Sequence, residues 1–123
     1  MTVLAPADYG IPLRPDGHPD FEGAHYPVYN PDRTIGISVD HSGSPVALHL
    51  DESTRGLTET ALQAAILDLA RIAAVRASYA NRQRAEYWFA VRGDYFDPAY
   101  VSHYASRYDY EQVRRDCYPE ERG

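Results

Sequence analysis

The chain of 123 residues holds a single cysteine, Cys117, and no lysine. One cysteine excludes an intrachain disulfide and any metal site built from cysteine pairs. Without lysine, all 12 strong bases are arginines, which reads as codon bias rather than a functional choice. No apolar run approaches the ~20 residues that span a bilayer, so no membrane association is expected. Met1–Gly10 lacks both the basic start and the apolar centre of a signal peptide, and the expected compartment is the cytoplasm. Phosphate-binding loops are missing too: Gly36 and Gly43 do not form GxGxxG, and no GK[ST] occurs. Five histidines, at 18, 25, 41, 49 and 103, show no metal-ligand spacing. Asp40-His41-Ser42 carries the letters of a triad, but neighbours in a tight turn cannot reach triad geometry. Cys117 stands beside Arg114 and Arg115, whose charge favours a lowered thiol pKa, yet no base accompanies it. These absences point away from an enzyme. No catalytic, cofactor-binding or metal-ligating residue is expected, and no cofactor.

What is present is acidic and rich in tyrosine. Eighteen acids against 12 arginines give a net charge of −6. Binding to a duplex draws on a basic patch, so this balance disfavours DNA without excluding it. Eleven tyrosines is a high share for this length. Tyrosine joins a large apolar body to a polar tip, which suits interfaces as well as half-buried positions.

The hydrophobic pattern divides the chain into an irregular arm, one domain and a tail. Residues 1–24 carry Pro6, Pro12, Pro15 and Pro19, which block both helix and ladder pairing. Either Ile11, Leu13 and Phe21 drape this arm over a sheet, or the arm stays mobile. From His25 the period is two: Tyr26 and Val28 on one face, then Ile35, Ile37 and Val39, then Val46, Leu48 and Leu50. Asn30-Pro31-Asp32 and His41-Ser42-Gly43-Ser44 supply the turns. The small residues Gly36, Ser38 and Ala47 on the opposite face leave room for a second layer.

At Thr58 the period changes to 3.6. Leu62, Ile66, Leu69, Ala73, Ala77 and Ala80 form a stripe, with Thr58 as N-cap and Gly93 as stop. Unbroken, this helix is roughly 50 Å long at 1.5 Å per residue and outreaches the short strands. Its distal half therefore needs a cover: the C-terminal segment, a partner protomer, or both. A homodimer is expected on that ground. Asp97-Pro98 predicts a second helix start, which places Tyr100, Tyr104 and Tyr108 on one stripe. That stripe either packs on the first helix near Tyr87 and Trp88 or forms an exposed aromatic surface for a protein partner. Arg71, Arg76, Arg82 and Arg84 on the long helix form either a solvated face or, across a dimer, a set of phosphate contacts. The fold class is α+β: a small antiparallel three-stranded sheet, a long helix and a shorter C-terminal helix, within one domain at 25–115, followed by a charged tail at 116–123.

The segment from His25 to Arg82 resembles EspD/EspH-type secretion-associated proteins of actinobacterial type VII (ESX) secretion loci. The likeness rests on the V-x-N-P-x-R-T turn at Val28–Thr34, the alternating strand after it, and the T-E-x-x-L-x-x-x-I-L-x-x-A-x-x-A style of helix. Ala105–Tyr108 also resembles a short tail motif there. This region is in turn similar to the YbaB/EbfC nucleoid-associated fold, which implies a YbaB-like dimer. The resemblance implies a non-enzymatic accessory or chaperone-like protein that binds another secretion-system protein; the alternative it implies is a nucleoid-associated DNA binder. Two departures count. The longer members carry an acidic N-terminal extension where this chain has a proline-rich arm. Also, no tyrosine here is followed four residues later by Asp or Glu, as the type VII export signal requires.

Overall fold

The computed structural model describes residues 13–93 and 97–120. Ile11 and the last three residues of the expected tail lie outside the described residues. Three strands, β1 (Tyr26–Tyr29), β2 (Ile35–Val39) and β3 (Pro45–Leu50), form an antiparallel sheet in the order β1-β2-β3. A 3₁₀ turn at Glu52–Gly56 leads into α1 (Glu59–Arg92), and a shorter helix α2 (Arg107–Cys117) follows. This is the α+β arrangement the hydrophobic periods predict.

Local chemistry sets the ends of these elements. In the β1–β2 turn, the Asn30 carboxamide accepts from the Ile35 N–H at 3.0 Å and donates to the Thr34 hydroxyl at 3.0 Å. Asp40 organises the β2–β3 turn by accepting from the Ser42 N–H, the Ser42 hydroxyl and the Ser44 N–H, while Gly43 takes the left-handed conformation at φ 86°. Thr58 caps α1 by accepting from the Ala61 N–H, and Gly93 ends it at φ 71°.

Register places Ile37 opposite Val28 on one side and Leu48 on the other. A bulge between Ser38 and Val39 interrupts the β2–β3 ladder near Pro45. The core lies between the sheet and the middle of α1: Val28, Ile35, Leu69 and Ile72 are almost fully buried. α1 packs on β1 and β2 and scarcely touches β3.

Three expectations change. Part of the proline-rich arm belongs to the core: Pro19 and Phe21 are buried, and Phe21 packs on Tyr87 of α1 within the cluster that also holds the sheet residues, while Leu13 is exposed. The distal half of α1 is covered within the chain, by this segment and, as one expected alternative had it, by the C-terminal segment, where Tyr100 meets Phe89 and Tyr110 lies on Tyr79. The expected need for a partner protomer there falls away, and the bare end of α1 is the opposite one. No residue from Glu59 to Asp68 is buried.

The tyrosine segment is not one helix. Asp97 caps it and Pro98 opens it, but only a 3₁₀ turn at Pro98–Val101 forms. The Ala105 N–H donates to the Ser78 hydroxyl at 2.8 Å, and Arg82 Nη1 donates to the Tyr104 carbonyl at 3.4 Å. Backbone groups that a continuous helix needs are thus bonded to α1. The helix restarts at Ser106, which forms a capping box with Asp109.

Candidate functional site

The largest break with the expected packing is on the core side of β3. Val46, Leu48 and Leu50 share the face of the sheet that carries Ile37 and Ile35, yet they are 44%, 54% and 43% exposed. Opposite them Ile66 and Ala70 of α1 line one wall of an apolar cleft of about 450 Å³, with Val39 and Val46 on the other. Ile66 also lines a neighbouring hollow with Leu62 and Leu67, and Leu67 is 62% exposed. Alternation dictates which way these side chains point. What leaves them bare is that α1 crosses the sheet over β1 and β2 only. The turn at the cleft's end is held to α1, where the Asn81 side chain donates to the His41 carbonyl at 2.8 Å.

Among the described residues the outer edge of β3 has no paired strand either. The other edge strand, β1, carries Pro27, which has no N–H to offer to an added strand. In β3 the only proline is its first residue, and its only ionisable group, His49, lies on the opposite face beside Tyr29 at 6.1 Å. That outer face is partly filled: Gly36 leaves the space in which the Tyr29 ring lies, and Arg33 stacks on the ring at 4.2 Å. At the far end of β3 the Ser53 hydroxyl, as the main cause, holds the Asp51 carboxyl below the usual carboxylate range.

The residues expected to bind partners fall in different places. Trp88, Tyr100, Tyr104 and Arg84 line a second cleft, of about 310 Å³, near the distal end of α1. Tyr100 stands edge-on to Phe89 at 5.3 Å and Tyr104 lies against His103 at 4.1 Å. Tyr108 is on α2, exposed, with Arg115 stacked at 5.9 Å. Tyr87 is a core residue.

Of the four arginines, Arg71 is exposed. Arg76 lies over the rings of Tyr26 at 4.6 Å and Tyr79 at 5.2 Å, and donates to Gln83 at 3.2 Å. Burial pulls its pKa down, offset in part by Tyr26. Arg82 pairs with Glu86 at 3.0 Å and Arg84 with Glu22 at 2.9 Å. The structure does not gather these guanidiniums into one solvent-facing row. The Cys117 thiol departs from expectation: burial is the main cause and pushes its pKa up, against the pull of Arg71 and Arg114. Among the described residues no group of three or more His, Cys, Asp and Glu side chains is placed to hold a metal, and no helix is long and apolar enough to cross a membrane.

Sequence reasoning assigned Val46, Leu48 and Leu50 to the inner face and missed that the face is uncovered. One signal was there: Leu67 is a large apolar residue off the main stripe of the helix. No family model matches the chain, and no curated protein or solved structure gives a significant match.

Proposed function

We propose that this chain is a non-enzymatic accessory or chaperone-like protein of a type VII (ESX) secretion system, acting in the cytoplasm by protein–protein binding. The observation that carries the binding role is the uncovered apolar face of β3 and the first turns of α1. A contiguous apolar surface of this kind is costly to leave in water and marks an interaction site. The secretion setting draws on the resemblance across residues 25–82, and the missing Tyr-x-x-x-Asp/Glu signal favours a protein that serves exported clients over one that is exported. A DNA-binding role draws less support, because Arg76, Arg82 and Arg84 are already engaged within the chain.

The test is genetic. Deleting the gene in a host with such a system is expected to reduce secretion of at least one substrate. The wild-type gene should restore it, and a Leu48→Arg gene should not. Unchanged secretion of every substrate contradicts the proposal.

A further inference from the structure

We infer that the occupant of the β3–α1 face is a second copy of this chain, joined by antiparallel pairing of the two β3 strands about a twofold axis at Leu48. The inference rests on the preceding proposal that this face binds protein, and it names that protein.

Backbone direction fixes the register. The Asp51 N–H donates to the Thr34 carbonyl at 2.7 Å, so Asp51 points toward β2. Peptide groups alternate along a strand. Hence His49 and Ala47 also face β2, while Leu50 and Leu48 turn their N–H and C=O groups to the open edge. A twofold axis at Leu48 lets each Leu48 exchange both bonds with its counterpart, and sets Leu50 of one copy opposite Val46 of the other. Every side chain brought together on the core side is then aliphatic.

A twofold interface sets like against like, so a charge near the axis meets its own sign. In a chain of net charge −6, the Pro45–Leu50 strand carries no acid and no arginine. The ion pair between Arg55 and Glu52 lies outside it, in the following turn. A client of different sequence would place no such demand on this strand. The two edges also differ: Pro27 blocks β1, and among the described residues no proline, charge or paired strand blocks the outer edge of β3. Strand pairing alone falls short of the roughly 800 Å² per partner of a stable interface. The exposed Leu67 and the cleft wall at Ile66 supply the remaining apolar surface, so the first turns of both α1 helices belong to the same contact.

The experiment uses the full chain. The wild type should sediment at twice 13.9 kDa at micromolar concentration. Leu48 is 54% exposed, so Leu48→Arg should keep the wild-type circular dichroism and become monomeric. In a Cys117→Ser background, Leu48→Cys should oxidise to a covalent dimer, because facing hydrogen-bonded residues have Cα atoms about 5.5 Å apart, within disulfide reach. Leu50→Cys alone should not, whereas a mixture of Leu50→Cys and Val46→Cys chains should cross-link. A dimer that survives Leu48→Arg, or one in which Leu48→Cys fails to cross-link, overturns the inference. A monomeric wild type overturns it too. In that case, failure of Leu48→Arg to restore secretion in the deletion strain shows that the face binds another protein and leaves the proposed function standing; full restoration removes both.

Discussion

The Nδ1 nitrogen of His18 lies 2.8 Å from the hydroxyl oxygen of Tyr87, joining a proline-rich segment to a helix residue 69 positions later. Around that bond the His18 ring lies tilted against Trp88 at 4.9 Å and Phe21 meets Tyr87 at 5.8 Å. The segment is thus part of the fold. Phe21, 3% exposed, should cost about 3–5 kcal/mol when replaced by Ala. Tyr87→Phe removes the hydrogen bond to His18 and should cost about 1 kcal/mol. Urea unfolding measures both, and a Phe21→Ala loss below ~1 kcal/mol contradicts the docking of this segment.

Ser106 separates two accounts of the C-terminal region. As the N-cap of α2 it accepts from the Asp109 N–H at 3.1 Å, and its own N–H donates to the Asp109 carboxylate at 2.8 Å. Ser106→Ala should therefore destabilise by about 1 kcal/mol. Inside a continuous tyrosine-striped helix the same change would be neutral or stabilising, since Ala has the higher helix propensity. Thermal melts decide between them by sign alone.

Arg76 is a charge held among rings, with no carboxylate beside it among the described residues. Its aliphatic stem packs, while its guanidinium bears a desolvation cost. Arg76→Met should leave stability within about 1 kcal/mol of wild type or raise it. Arg76→Ala, which also removes the stem, should be the less stable of the two. A Met variant as unstable as the Ala variant would show that the charge itself stabilises the fold.

How much of this was legible in the sequence depends on what each feature answers to. Thr58 and Gly93 bound α1 as their local chemistry dictates, because a cap and a left-handed residue act within one turn. Alternation in β1, β2 and β3 revealed which residues share a face for the same reason. The break at Ser102–Ser106 answers to a tertiary contact, the Ser78 hydroxyl on the Ala105 N–H, which no local pattern encodes. Burial of Phe21 likewise depends on Tyr87, far along the chain. The candidate surface falls between these cases. Its residues were legible, and its exposure was not, because exposure depends on where α1 crosses the sheet.

Acid should weaken the turns and caps before it weakens the core. Hydrogen bonds lower the carboxyl pKa of Asp40, chiefly from the Ser42 hydroxyl, and of Asp109, chiefly from the Ser106 N–H, relative to 3.8. A pKa lower in the folded than in the unfolded chain means that the unfolded chain binds more protons. The contribution is therefore complete above the unfolded value and is lost as pH falls through the folded one. The urea midpoint should fall between about pH 5 and pH 2, and Asp40→Asn should flatten part of that slope. A slope identical to wild type in Asp40→Asn contradicts the assignment.

The open edge of β3 is tested most directly by amide exchange read residue by residue at two protein concentrations. Ala47 and His49, whose N–H groups face β2, should be protected at both. Leu48 should be protected at high concentration and exchange rapidly on dilution, as the strand loses its pairing partner. Rapid exchange at Leu48 at every concentration, with Ala47 and His49 still protected, would contradict the pairing of β3.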